Sequence, residues 1–215
     1  MRALITRKLS ERSVFKEILS SKGIEVEGIP FIRIDPEPVR ELPGAEWIFF
    51  SSANAARSLM EQEVDLSNYR VGAVGRGTTH FLESKGVNVE FVGRGGDIPR
   101  VATDFAEIAG TRTVLFPISD KSRRSIQQEL DPEQVVDVVA YTTTIVAQKV
   151  GQFDAVVFTS PSNVKGFFQS NELHGAHAIA IGKTTQEALK KLGIEATTPA
   201  QPTERDLAKC VLLLR

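Results

Sequence analysis

The chain repeats itself, and it does so in a changed order. "IFFSSANAARSLM", Ile48 to Met60, and "VVFTSPSNVKGFF", Val156 to Phe168, both run from a short apolar stretch through small hydroxyl and amide residues into a helical pattern. "VGAVGRGTTHFLESKGV" (71–87) is matched by "AIAIGKTTQEALKKLGI" (178–194). In each, a glycine closes the apolar run (Gly75, Gly182) and a second glycine, eleven residues on, closes the helix (Gly86, Gly193). A weaker third pair sets "ALITRKLSERSVFKEIL" (3–19) against "VLFPISDKSRRSIQQEL" (114–130), with Arg12 on Arg123 and Leu19 on Leu130. In 47–130 the units run first, second, third. In the other copy the third unit stands at the N-terminus and the first two follow residue 150.

A chain ordered in this way folds as two similar domains, one inserted into the other. The inserted domain is expected over 38–138, and the outer one over 1–32 joined to 147–215. The crossings fall at 33–37 ("RIDPE") and 139–146 ("VAYTTTIV"), where two short segments side by side make a two-stranded linker. The competing reading is a single domain whose internal similarity is chance.

The fold class follows from the alternation within each copy. Short apolar runs at 3–6, 47–50, 71–74, 113–116, 155–158 and 178–181 each precede a helical pattern, the fourth of these helices ending near Leu130. Leu207, Ala208, Val211 and Leu212 mark a last helix. Strand then helix, repeated, argues α/β architecture: parallel sheets with helices on both faces, three layers in each domain.

Composition removes several function classes. With 215 residues, 41% hydrophobic and 25% charged, the chain is ordinary globular material. A formal net charge of -1 offers no basic field to gather nucleic acid. "RGG" at 94–96 reads as a turn rather than a nucleic-acid tract. No stretch approaches the ~18 apolar residues of a membrane span, and the opening "RALIT" is too short for a secretory leader. One cysteine, Cys210, makes no internal disulfide and lies on the apolar face of the last helix. The expectation is a cytoplasmic monomer that binds neither nucleic acid nor membrane.

The repeated turns carry the chemistry. A strand that ends in Ser, Thr, Gly or Asn just before a helix leaves backbone N–H groups free at the helix N-terminus, and these, with the helix dipole, favour anions. Ser51, Ser52 and Asn54 form such a turn in one copy, and Thr159, Ser160, Ser162 and Asn163 in the other. "GRGTT" (75–79) and "GKTT" (182–185) repeat the device, with Gly182, Thr184 and Thr185 in the second. Taken singly, each of these residues also reads as a simple helix cap. Taken as a set, they suit a cleft that binds a ligand with many carboxylates or phosphates. "GRGTTH" is no dinucleotide fingerprint, since His80 occupies the third glycine position. His80, His174 and His177 have no metal-ligand spacing with Cys210, and no Ser–His–acid set stands out. The residues describe an anion binder without a nucleophile.

The paired copies, "FTSPSNV", "IGKTTQEALKKLGI", "AQPTERDL" and the "VLFP…RR…L…VVAYTT" segment together resemble the uroporphyrinogen-III synthase family over nearly the whole chain. The resemblance implies two α/β domains joined by a two-stranded linker, with the active site in the interdomain cleft. It implies cyclisation of the linear tetrapyrrole hydroxymethylbilane to uroporphyrinogen III, with inversion of ring D and loss of water, and no cofactor or metal. It puts Tyr141 of "VAYTT" on the family's linker tyrosine, a proposed proton donor to the departing hydroxyl. It puts Thr185 on a cleft threonine with Thr184 beside it, Arg123 on a basic position after "FP", and Thr203 on the "PT" before the last helix. His177 stands where some members carry lysine. Without the resemblance, Tyr141 reads as a β-forming residue in a strand, and the chain reads equally as a non-catalytic binding or regulatory protein for a polyanionic small molecule.

Overall fold

Four-residue runs with no polar alternation, such as Trp47–Phe50 and Ala155–Phe158, can be buried only where a sheet is covered on both faces. Both runs are strands in the computed structural model, which describes residues 1–94 and 96–214, and all eight residues are buried. Gly95, inside the turn read at 94–96, lies outside the described residues, as does Arg215.

In chain order the elements are β1 (Arg2–Ile5), α1 (Val14–Ser20), β2 (Glu25–Gly28), β3 (Ile32–Pro36), β4 (Trp47–Phe50), α2 (Ala53–Met60), β5 (Arg70–Ala73) and α3 (Arg76–Ser84). Then come β6 (Phe91–Val92), α4 (Ile98–Ala109), β7 (Val114–Ser119), β8 (Val135–Ile145), β9 (Ala155–Phe158) and α5 (Pro161–Phe167). The chain ends with β10 (His177–Ala180), α6 (Lys183–Lys190), β11 (Ala196–Thr197) and α7 (Glu204–Leu212). It divides into two compact units, Met1–Arg33 with Thr144–Arg215, and Ile34–Thr143.

The first unit holds a parallel sheet in the order β11-β10-β9-β1-β2. Alternate strand residues point to opposite faces. Ala3, Ile5, Ala155 and Val157 pack with Phe15 of α1 and Leu207 and Val211 of α7. Leu4, Val156 and Phe158 pack on the other side with Val164 and Phe167 of α5 and Leu189 of α6. The result is three layers around one sheet.

The second unit holds the order β6-β5-β4-β7-β8, with β3 at the edge beyond β8. Its pairs from β6 to β8 are parallel. Ile48 and Phe50 face α2 and α3, packing on Ala56, Leu59 and Leu82. Trp47 and Phe49 face α4, packing on Val101, Ala102 and Phe105. Strand for strand this is the first unit's order, with β6 for β11, β5 for β10, β4 for β9, β7 for β1 and β8 for β2. The permuted repeat in the sequence is one sheet plan laid down twice, the second time with its β1 equivalent after its β9 and β10 equivalents.

The chain passes from the first unit to the second within β3 and returns within β8. Glu37 N–H donates to Ala140 O at 2.9 Å, and Val146 N–H donates to Phe31 O at 3.0 Å. Numbers rise on one side as they fall on the other, which is the antiparallel pattern.

One expected element is absent. No helix follows β7 toward Leu130; the chain instead makes a polar loop and two 3₁₀ turns, Gln127–Glu129 and Pro132–Gln134. The segment "SDKSRRSIQQEL" offers only Ile126 and Leu130 to a core, too few for an apolar stripe. Arg124 sits at φ 53, which ends any helix started before it. The second unit covers that face of its sheet with α4, which Asp97 caps through Arg100 N–H at 3.2 Å.

Candidate active site

Because the strands are parallel, every strand-to-helix turn of a unit lies at the same edge of its sheet. β4 and β5 are neighbours, so the turns that start α2 and α3 lie side by side. β9 and β10 are neighbours, so the turns that start α5 and α6 do the same. The two pairs match in detail. Val74 N–H donates to Phe50 O at 3.0 Å, and Ile181 N–H donates to Phe158 O at 2.9 Å.

Ser52 caps α2, its hydroxyl oxygen accepting from Ala55 N–H at 3.1 Å. Ser160 caps α5, accepting from Asn163 N–H, also at 3.1 Å. Both serines have extended backbone, as a cap requires. Gly75 and Gly182 precede α3 and α6 and supply no side-chain cap; Thr78 N–H and Thr185 N–H turn back to Gly75 O and Gly182 O at 3.1 Å, while the amides of Arg76, Gly77, Lys183 and Thr184 keep their hydrogen-bonding capacity.

The expected site residues fall into two sets. Ser52, Ser160 and Asn163 are engaged in holding the turns. Asn163 is 3% exposed; its Oδ1 accepts from Phe31 N–H at 2.9 Å and its Nδ2 donates to Ser160 Oγ at 3.0 Å. Beside it, Thr159 N–H donates to Thr6 Oγ1 at 3.0 Å and Thr159 Oγ1 donates to Thr6 O at 2.9 Å, tying the turn to the end of β1. Ser51, Asn54, Ser162, Thr184, Thr185 and Arg123 form the second set. Their side chains make no hydrogen bond or ion pair to a described residue. Thr184 and Arg123 are exposed, whereas Thr185 is 1% exposed. Arg123 is on the polar loop after β7, next to Arg124, which pairs with Asp137 at 2.7 Å.

The engagement of Asn163 has a measurable consequence. Asn163→Ala removes the acceptor for a buried Phe31 N–H, and an orphaned buried donor costs about 1–3 kcal/mol. Chemical denaturation is expected to show that loss while KM stays near the wild-type value. A large rise in KM with unchanged stability would give Asn163 a direct role toward the ligand instead.

Tyr141 is brought to the same edge of the second unit by an irregularity in β8. Ile118 pairs with Val139 but Ser119 pairs with Tyr141, so β8 carries one extra residue at Ala140. An extra residue inverts the alternation of faces. Tyr141 therefore joins Val136, Val138 and Ala140 in the cluster formed with α2 and α3. Tyr141 is 8% exposed, and its hydroxyl lies 3.2 Å from Ser52 Oγ. The backbone is pinned as well: Asp120 N–H donates to Tyr141 O at 3.2 Å, Thr143 N–H donates to Asp120 Oδ1 at 3.2 Å, and Lys121 Nζ donates to Thr143 O at 2.5 Å.

Other candidates drop away. Burial, with Asp206 nearby, pushes the Cys210 thiol up, which keeps it protonated and unreactive. His177 opens β10, at the strand end opposite the turn that carries Gly182. Thr203 caps α7 through Asp206 N–H at 3.2 Å. The next residue, Glu204, accepts from Phe15 N–H at 3.0 Å and pairs with Arg7, so "TERDL" binds α7 to α1. Among the described residues no group of three His, Cys, Asp or Glu is placed to hold a metal, and no helix is long and apolar enough to cross a membrane.

Residues 13–209 match the family model described as uroporphyrinogen-III synthase HemD. The chain belongs to the uroporphyrinogen-III synthase family. It is 30% identical over 230 residues to the uroporphyrinogen-III synthase of Chlorobaculum parvum, covering 89% of each chain. It is 26% identical to the porphyrin biosynthesis protein HemD of Ruminiclostridium josui, over 93% of this chain and 46% of that one. Its α/β fold is that of the crystallised uroporphyrinogen-III synthetase of Helicobacter pylori, at TM-score 0.73 and 19% identity with 100% of each chain covered. A mutant Thermus thermophilus synthase aligns at TM-score 0.60 and 16% identity, over 100% of this chain and 98% of that one. The family is one of cyclising lyases in porphyrin biosynthesis.

Proposed function

We propose that this synthase-family chain converts hydroxymethylbilane to uroporphyrinogen III, inverting ring D and releasing water, without metal or cofactor. The substrate carries eight carboxylates and loses its hydroxyl readily, closing unaided to the wrong isomer. The enzyme's task is to hold and fold the chain so that closure passes through the spiro intermediate, which is a matter of positioning and electrostatics.

The observation that carries this reading is the doubled pair of turns. In each unit a serine-capped and a glycine-started helix begin side by side at one sheet edge. In the proposed mechanism the turns at both edges bind the carboxylates of the substrate. The uncapped amides at the starts of α3 and α6 donate to carboxylates, as do the free side chains of Ser51, Asn54, Ser162, Thr184 and Arg123. Tyr141 gives its proton to the departing hydroxyl. The carbon–oxygen bond breaks and water leaves, a carbon–carbon bond forms to ring D to give the spiro intermediate, the original bond to ring D breaks, ring D is rejoined through its free α-carbon, and the proton lost from that carbon restores the phenol.

The test is a coupled assay in which a hydroxymethylbilane source feeds the purified protein and the porphyrins are separated after oxidation. Isomer III is expected to dominate. Isomer I alone, at the uncatalysed rate, would leave a binding protein without this activity.

A further inference from the structure

The contact between Tyr141 and Ser52 assigns Ser52 a role that its place in a ligand-binding turn does not suggest. We infer that Ser52 is a positioning residue that acts through Tyr141, linking the phenol to the N-terminus of α2. The inference rests on the proposed role of Tyr141 as proton donor.

The argument begins with the proton inventory. A serine hydroxyl has one proton to give and two lone pairs to receive. One lone pair of Ser52 Oγ is taken by Ala55 N–H at 3.1 Å. Tyr141 Oη, at 3.2 Å, is the other partner of that oxygen among the described residues. Either atom can donate across this pair, and the surroundings favour one direction. Ser52 Oγ already accepts from Ala55 N–H at the positive end of α2, which polarises the serine O–H and favours it as the donor. If Ser52 donates to Tyr141 Oη, the tyrosine keeps its own proton for a ligand. As that proton leaves, the growing phenolate charge is met by an O–H donor that is itself held by a helix-end amide. The interaction then strengthens along the reaction, which is the condition for raising kcat rather than binding.

Two independent features hold the pair in register. The bulge at Ala140 turns the Tyr141 ring toward α2. The α2 cap fixes Ser52 on the helix side, its backbone extended at φ -152. The equivalent serine of the other copy, Ser160, accepts from Asn163 Nδ2 instead. The two copies thus share a cap and differ in what the cap serves.

A double-mutant cycle in the full chain separates the possibilities. Ser52→Gly removes the hydroxyl but keeps a residue well tolerated at a cap, so its loss of stability should be close to that of Tyr141→Phe, which breaks the same hydrogen bond. Measured kcat should fall about 3–10-fold with KM nearly unchanged, and Ser52→Thr should restore most of it. In a Tyr141→Phe background the same Ser52→Gly change should add little further loss, because the group it serves is gone. Losses that multiply in the double variant would overturn the inference and return Ser52 to direct ligand contact. Wild-type turnover in Tyr141→Phe alone would instead remove the proton-donor reading, a different outcome from failure of the cycle.

Discussion

Tyr141→Phe is expected to lower kcat for isomer III by about 10²-fold or somewhat less, the low end of what general-acid help supplies. The low end applies because the leaving hydroxyl departs readily even in water. KM should change little, since a proton given only as the bond breaks is not part of ground-state binding. Phenylalanine keeps the ring in its cluster with Ala55, Leu59 and Leu82. What folding loses is the hydrogen bond to Ser52, worth about 1 kcal/mol, or about 2–4 °C in a chain of this length. A coupled rate assay beside a melting curve measures both. A well-folded Tyr141→Phe variant with wild-type kcat would leave positioning alone to account for the chemistry.

Much of the fold is legible in the sequence, and the reason is physical. A parallel strand buried on both faces must be apolar throughout, so "WIFF" and "AVVF" announce themselves. The turn glycines are equally legible: Gly86 and Gly193 take φ 81 and 74, a region that side chains other than glycine's rarely adopt. Because the repeated segments are one sheet plan, the permuted order shows in the residues themselves. The helix expected near Leu130 fails where the third pair of repeats is weakest, since similarity at Leu19 and Leu130 says nothing about the polar residues between. α4 is missed although its cap, Asp97, and its apolar face of Val101, Ala102 and Phe105 are local signals. Its counterpart in the other unit is α7, which follows β11 as α4 follows β6 and packs on the equivalent sheet face, but both helices lie outside the segments that match in sequence.

The site is less legible, for a different reason. Residue type marks a turn as ready for anions but does not say which groups the fold consumes. Asn163 has the chemistry of a ligand contact and is occupied by Phe31 N–H, a partner 132 residues away. Ser52 and Tyr141 meet across 89 residues because of a single extra residue in β8. A bulge leaves no mark in the pattern "VVAYTTT", since β-branched and small residues serve either register.

The most discriminating change at the rim is Ser160→Asp, whose effects on folding and on activity should have opposite signs. Aspartate caps helices as well as serine does, and it can keep the acceptor role toward Asn163 N–H and Nδ2. Its charge suits the positive end of α5, a gain of ~0.3–1 kcal/mol. The melting temperature should hold or rise slightly. A ligand carboxylate at that helix start would meet a like charge. At ~4 Å and an effective dielectric near 20 the repulsion is ~4 kcal/mol. Ser160 is only half buried, and solvent and salt reduce this to roughly 1.4–2.7 kcal/mol, a rise in KM of about 10–100-fold. Raising the ionic strength should return part of that loss. Ser160→Ala makes the contrast: it loses about 1 kcal/mol of cap, while KM stays near wild type because the backbone amides remain. Equal KM values for the alanine and aspartate variants, at low salt, would place the α5 turn outside the binding rim and leave α6, with Gly182 and Thr184, to hold the carboxylates of that unit.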